Sequence, residues 1–152
     1  MKISVYRDSV CMGDDVFDHT IQYKVPESAT FLDLFRDLIR QGYFPSVVGN
    51  NVVWAMVRDE EDLMSWKTAD SILFSHIAAE TPIATTQGQS AFRFRYYSSP
   101  KNRALWISER FKGQEMPKSY QAESESYCPT ALDKLQKAPR SKDRGAHFML
   151  LK

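Results

Sequence analysis

Apolar and polar positions alternate along Lys2-Ile3-Ser4-Val5 and again along Thr20-Ile21-Gln22-Tyr23-Lys24-Val25, the period of a strand with one buried face. Between them, Gly13-Asp14 is a turn signal, so the two segments are expected to pair as a hairpin with a long or irregular connection. Pro26 lacks an N–H to donate and ends the second strand. The period then changes. Phe31, Leu34, Phe35, Leu38 and Ile39 fall at i, i+3, i+4, i+7 and i+8, one apolar stripe of a helix, with Asp33, Arg36, Asp37 and Arg40 on the other face. Thr30 can cap this helix, Asp33 sits three residues later near the positive end of the dipole, and Gly42 can close it.

Beyond Tyr43-Phe44-Pro45 the run Ser46 to Val57 reads as β structure broken by a Gly49-Asn50-Asn51 turn, with Val52 to Val57 as a central strand because it is apolar almost throughout. An acidic loop, Arg58 to Asp62, leads to Leu63-Met64-Ser65-Trp66. Ile72-Leu73-Phe74 is expected as a short strand or turn, and Phe92 to Tyr97 as the last strand of the body. The helix stripe should bury against a sheet containing Ile3, Val5, Ile21, Tyr23, Val53 and Phe94.

The order of hairpin, helix, strand, short element and strand resembles the ubiquitin-like β-grasp superfamily. Met1-Lys2-Ile3-Ser4-Val5 and Val25-Pro26-Glu27-Ser28-Ala29-Thr30-Phe31 look like its corresponding parts, over about residues 1 to 97. The resemblance implies an α+β fold, with an N-terminal hairpin and one amphipathic helix packed on a mixed sheet. Modifiers and sulfur carriers of that superfamily end in a flexible Gly-Gly, whereas this chain ends His147-Phe148-Met149-Leu150-Leu151-Lys152, which disfavours conjugation chemistry unless the tail is cleaved. Its ferredoxins need four clustered cysteines, and two distant ones cannot supply them. No cofactor and no metal are therefore expected, and a non-catalytic binding role is what the resemblance leaves.

Length and composition narrow the class further. The chain has 152 residues, 43% hydrophobic and 26% charged, which suits one globular domain with an extension. No apolar run approaches the ~18 residues of a membrane span, and charge interrupts the start too soon for a signal peptide. A cytoplasmic location and reduced Cys11 and Cys128 are expected. The net charge of +1 conceals an asymmetry, since residues 1–97 carry 13 acids against 9 bases and residues 98–152 carry 6 against 11. This division reads as an acidic body, 1–111, and a polar, basic C-terminal extension, 112–152, partly disordered or docked. Within the second half, Ala104-Leu105-Trp106-Ile107 fits an edge strand or short helix. Glu123-Ser124-Glu125-Ser126 suggests mobility, and Phe148 to Leu151 are apolar enough to dock.

Candidate chemistry is sparse. No P-loop, GxGxxG, GxSxG, HExxH or EF-hand spacing occurs. Cys11 with His19 or His76 is the one conceivable nucleophilic pair, and no motif unites them. Asp59, Glu60, Glu61 and Asp62 present a negative surface suited to steering a basic partner, although such a run is usually just solvated. Trp66, Tyr43 and Phe44 are the aromatic residues placed beside charge, as at interfaces. Lys134, Lys137, Arg140, Lys142 and Arg144 could meet nucleic-acid phosphates, but Asp133 and Asp143 interrupt them. The expectation is a non-catalytic intracellular module that binds another protein, for example as an accessory or inhibitory partner of the immunity type. Nucleic-acid binding through the extension is the alternative, and a Cys11-dependent enzyme the third reading.

Overall fold

The computed structural model describes residues 1–10, 19–45, 51–85, 91–127 and 148–150, with the backbone alone for residues 85 and 148–150. Cys11, Asp14, Asp15, Gly49, Asn50, Cys128 and the basic run Lys134, Lys137, Arg140, Lys142 and Arg144 lie outside the described residues.

The protein is mixed α+β. Strands β1 (Lys2–Arg7) and β2 (Ile21–Lys24) pair antiparallel with Ile3 opposite Tyr23, as the alternation predicts. Helix α1 (Phe31–Arg40) follows, then β3 (Val53–Arg58), β4 (Glu61–Lys67), β5 (Ile72–Ser75), β6 (Ala91–Tyr97), helices α2 (Pro100–Arg110) and α3 (Lys118–Tyr127), and β7 (Phe148–Leu150). Among the described residues these strands make one sheet in the order β2-β1-β6-β3-β4-β5-β7. Strands β1 and β6 run parallel, and every other neighbouring pair is antiparallel.

Helix α1 starts where its sequence says it should. The Thr30 hydroxyl accepts from the Asp33 N–H at 3.0 Å while the Asp33 carboxylate accepts from the Thr30 N–H at 3.1 Å, a complete capping box. At the far end Gly42 takes φ +73°, and its N–H and that of Tyr43 satisfy the carbonyls of Ile39 and Leu38. Phe31, Leu34, Phe35 and Leu38 are buried, and Ile39 is partly buried at the margin of the same core.

Val53 stands buried in the sheet as expected, but on the face away from α1; Trp54 and Met56 face the helix. A strand apolar throughout is covered on both sides, and period two sends Val53, Ala55 and Val57 to the second face, where Val53 pairs with Tyr97. That second face is covered by α2 and α3, so the stretch holding Glu123-Ser124-Glu125-Ser126 is an ordered helix with Tyr120 and Glu123 buried. Ala104 to Ile107 lie in α2, begun by Ser99 accepting from the Asn102 N–H and by Pro100 in the first turn. The apolar end does dock: Phe148 to Leu150 pair with Phe74 to Ile72 of β5.

Candidate functional site

The acidic run is a hairpin tip. Arg58 pairs with Glu61 across β3 and β4, leaving Asp59 and Glu60 as a two-residue turn at φ +51° and +66°. Both values lie in the left-handed region that a type I′ hairpin turn demands, where Asn-Gly is the usual choice and a side chain such as glutamate is strained. Asp59, Glu60 and Glu61 are exposed. Glu60 meets Arg95 of β6 at 3.2 Å while remaining 88% exposed, a contact that contributes little to stability.

Asp62 breaks from this group. Met56 pairs with Met64 but Val57 pairs with Asp62, so Leu63 is the extra residue of a β-bulge. The bulge lets Leu63 and Met64 both join the α1 core and turns Asp62 onto the face beneath α2 and α3. There the Arg103 guanidinium donates to Asp62 at 2.6 Å, and the Asp62 side chain is only 7% exposed. Burial raises the Asp62 carboxyl above its ordinary 3.8, an effect Arg103 opposes without cancelling.

Arg103 is itself fully buried and donates through Nε and a terminal nitrogen to both oxygens of Glu123, at 2.8 and 3.2 Å. Its plane is flanked by the rings of Tyr97 and Trp106, at 5.0 and 4.6 Å. Burial works against this cation, but Glu123 and Asp62 outweigh it and hold the guanidinium more firmly protonated than usual. Glu123 also accepts from His76 Nε2 at 2.7 Å, Ser65 Oγ at 2.6 Å and Tyr127 Oη at 2.6 Å. Burial alone would raise its carboxyl; Arg103, with help from His76, reverses this and holds it far below the usual 4.5.

His76 Nδ1 lies 2.8 Å from Ser119 Oγ, and the ring is stacked on Tyr120 at 3.6 Å. Because ionised Glu123 can only accept, Nε2 carries a proton, and in the neutral ring Nδ1 accepts the Ser119 hydroxyl. Hydroxyl, imidazole and carboxylate in series is the arrangement that activates a serine in hydrolases. Here, however, Glu123 receives five donors on the about four lone-pair sites of a carboxylate, and Arg103 offsets its charge. We read the network as the fastening that holds α2 and α3 to the sheet and, through Asp62, anchors the acidic tip.

The remaining sequence candidates separate. Phe44 is buried in the core against Phe35, Trp54 and Phe94, so it presents no contact surface. Tyr43 is half-buried and donates its hydroxyl to the His19 carbonyl at 2.5 Å. Trp66 packs on Phe35 and Phe44, and its indole N–H finds no acceptor among the described residues. These three aromatic residues join the core of the α1 face and are not gathered with the acidic tip. His76 is engaged by Glu123, and Cys11 lies outside the described residues, so no thiol–imidazole pair is on view. Arg103, Glu123, Ser65, Ser119, Tyr120 and Tyr127 were not anticipated. The signal available was the spacing Tyr120, Glu123, Tyr127, a helical stripe hidden by its polarity.

Compared with models of protein families, with curated proteins and with solved structures, the chain matches none.

Proposed function

We propose that this protein is a non-catalytic binding module that engages a basic protein partner through the β3–β4 hairpin tip, in an accessory or inhibitory role. The observation that carries this reading is the tip itself. Glu60 occupies left-handed backbone that its side chain does not favour, beside Asp59, which tolerates that region better, and Glu61, with the base of the hairpin fixed by Asp62 on Arg103. Retained local strain of this kind is most common where a surface has a task beyond folding. A rigid group of exposed carboxylates suits electrostatic steering of a cationic surface and loses little entropy on docking.

The fold is read as ubiquitin-like β-grasp. Supporting that reading are the order β2-β1-β6-β3-β4, the parallel pairing of β1 with β6, and the single helix α1 between the first strand pair and β3. The test is parallel affinity capture from the native cell by the tagged wild-type chain and by the D59N/E60Q/E61Q variant, with mass spectrometry of both eluates. A cationic protein recovered by the wild type and lost from the variant supports the proposal. Identical eluates, or the loss of acidic proteins only, would remove it.

A further inference from the structure

Where β2 runs into α1, a cleft of about 270 Å³ is bordered by Lys24, Ser28, Asp33, Arg36, Asp37 and Arg40. Its three cations come from two different elements. Among the described residues, none of the three makes a side-chain hydrogen bond or ion pair, although Asp33 lies three residues before Arg36 and Asp37 three before Arg40.

The reason is that both carboxylates are engaged elsewhere. Asp33 closes the capping box on the Thr30 N–H. Asp37 accepts the Tyr23 hydroxyl and, at 3.4 Å, the Gln41 side-chain amide. Burial, followed by the bond to Asp37, pushes the Tyr23 phenol up to about 12, so it stays a donor through the physiological range and keeps the Asp37 carboxylate engaged. Arg36 and Arg40 therefore stand four residues apart on one face, where like charges repel and cost an isolated helix a few tenths of a kcal/mol. Their side chains are roughly 6 Å apart at the Cβ atoms, and each offers a planar donor fork. Lys24 adds a third cation to the lining, and the Ser28 hydroxyl is a further donor.

The geometry points to a binding site for a small anion carrying two phosphate or carboxylate groups a few ångströms apart, one on each arginine, whose long side chains can converge on it. A bound dianion would relieve the repulsion between the arginines and give both forks an acceptor. The site is distinct from the acidic tip and does not depend on the partner proposed for it.

Pyrophosphate and succinate serve as probes, titrated separately into the full chain at low salt and followed by amide NMR and calorimetry. Saturable binding is expected, with shifts confined to residues 24–29 and 36–40, and with affinity at least about tenfold weaker in R36Q/R40Q, a loss of 1.4 kcal/mol or more. K24Q should weaken it less. Unchanged thermal midpoints of both variants would show that folding is intact, and D59N/E60Q/E61Q should bind the probes no more weakly than wild type. A preference for one probe identifies the group as phosphate or carboxylate and supports the site. No saturable binding of either probe, or binding that R36Q/R40Q leaves intact, would overturn it.

Discussion

Arg103 and Glu123 are 20 residues apart on two different helices, and they meet through two N–H···O contacts of 2.8 and 3.2 Å with both side chains fully buried. Burying an ion pair is expensive unless every remaining donor and acceptor is matched. Tyr127, Ser65 and His76 supply that matching for Glu123, and Asp62 and the Tyr97 hydroxyl supply it for Arg103, with Asp62 Oδ1 alone in the network left without a partner among the described residues. The pair thus couples α2 to α3 and both helices to β4.

Removing one partner should therefore be costly. Arg103→Met leaves Glu123 and Asp62 without their counter-charge and is expected to destabilise by about 3 to 5 kcal/mol. In R103M/E123M one of the two orphaned carboxylates is gone, so the double variant should be more stable than the sum of the single losses. Urea unfolding of the four proteins checks this.

The same pair sets an acid limit. The Glu123 carboxyl is held well below its ordinary 4.5, so as pH falls through that value the unfolded chain takes up the proton first and stability drops. Asp62 acts in the opposite sense, because its raised carboxyl is protonated in the folded state before the unfolded one. Glu123→Gln should lower stability at neutral pH yet flatten the loss below about pH 4.5. A pH series of thermal midpoints reports both effects.

The core under α1 makes a simpler forecast. Leu34 is 1% exposed, and Leu34→Ala should cost about 2 to 5 kcal/mol. Chemical denaturation measures it directly.

The α1 side of the fold was legible because its residues obey simple periods. Phe31 to Leu38 follow the helical stripe, Thr30 and Asp33 make the cap, and Ile3 and Val5 alternate. The second face was not legible, for two physical reasons. Its buried contacts are largely polar, with Arg103, Glu123 and Ser65 standing where a hydrophobic pattern would be sought. Its register depends on a bulge at Leu63, which sends Asp62 inward although its three neighbours in the acidic run stay exposed. The aromatic candidates part from the acidic tip because Phe44 and Trp66 are neighbours in space on the α1 side of the sheet, which their sequence proximity to charge did not reveal.

At the tip, stability and binding should part company. Glu60→Gly relieves a left-handed residue at φ +66° and removes only an exposed ion pair. It is expected to raise stability by up to about 1 kcal/mol, or a few degrees in thermal midpoint, while weakening partner capture. Calorimetry alongside the capture assay tests the two halves separately.

The most direct measurement is the association rate of the captured basic partner, purified, with wild type and with D59N/E60Q/E61Q across a salt series. The account predicts that the wild-type rate falls steeply with added salt and that the variant is slower by about tenfold or more at low salt, with a nearly flat dependence. Equal rates and equal salt slopes for the two proteins, with both folded, would contradict it.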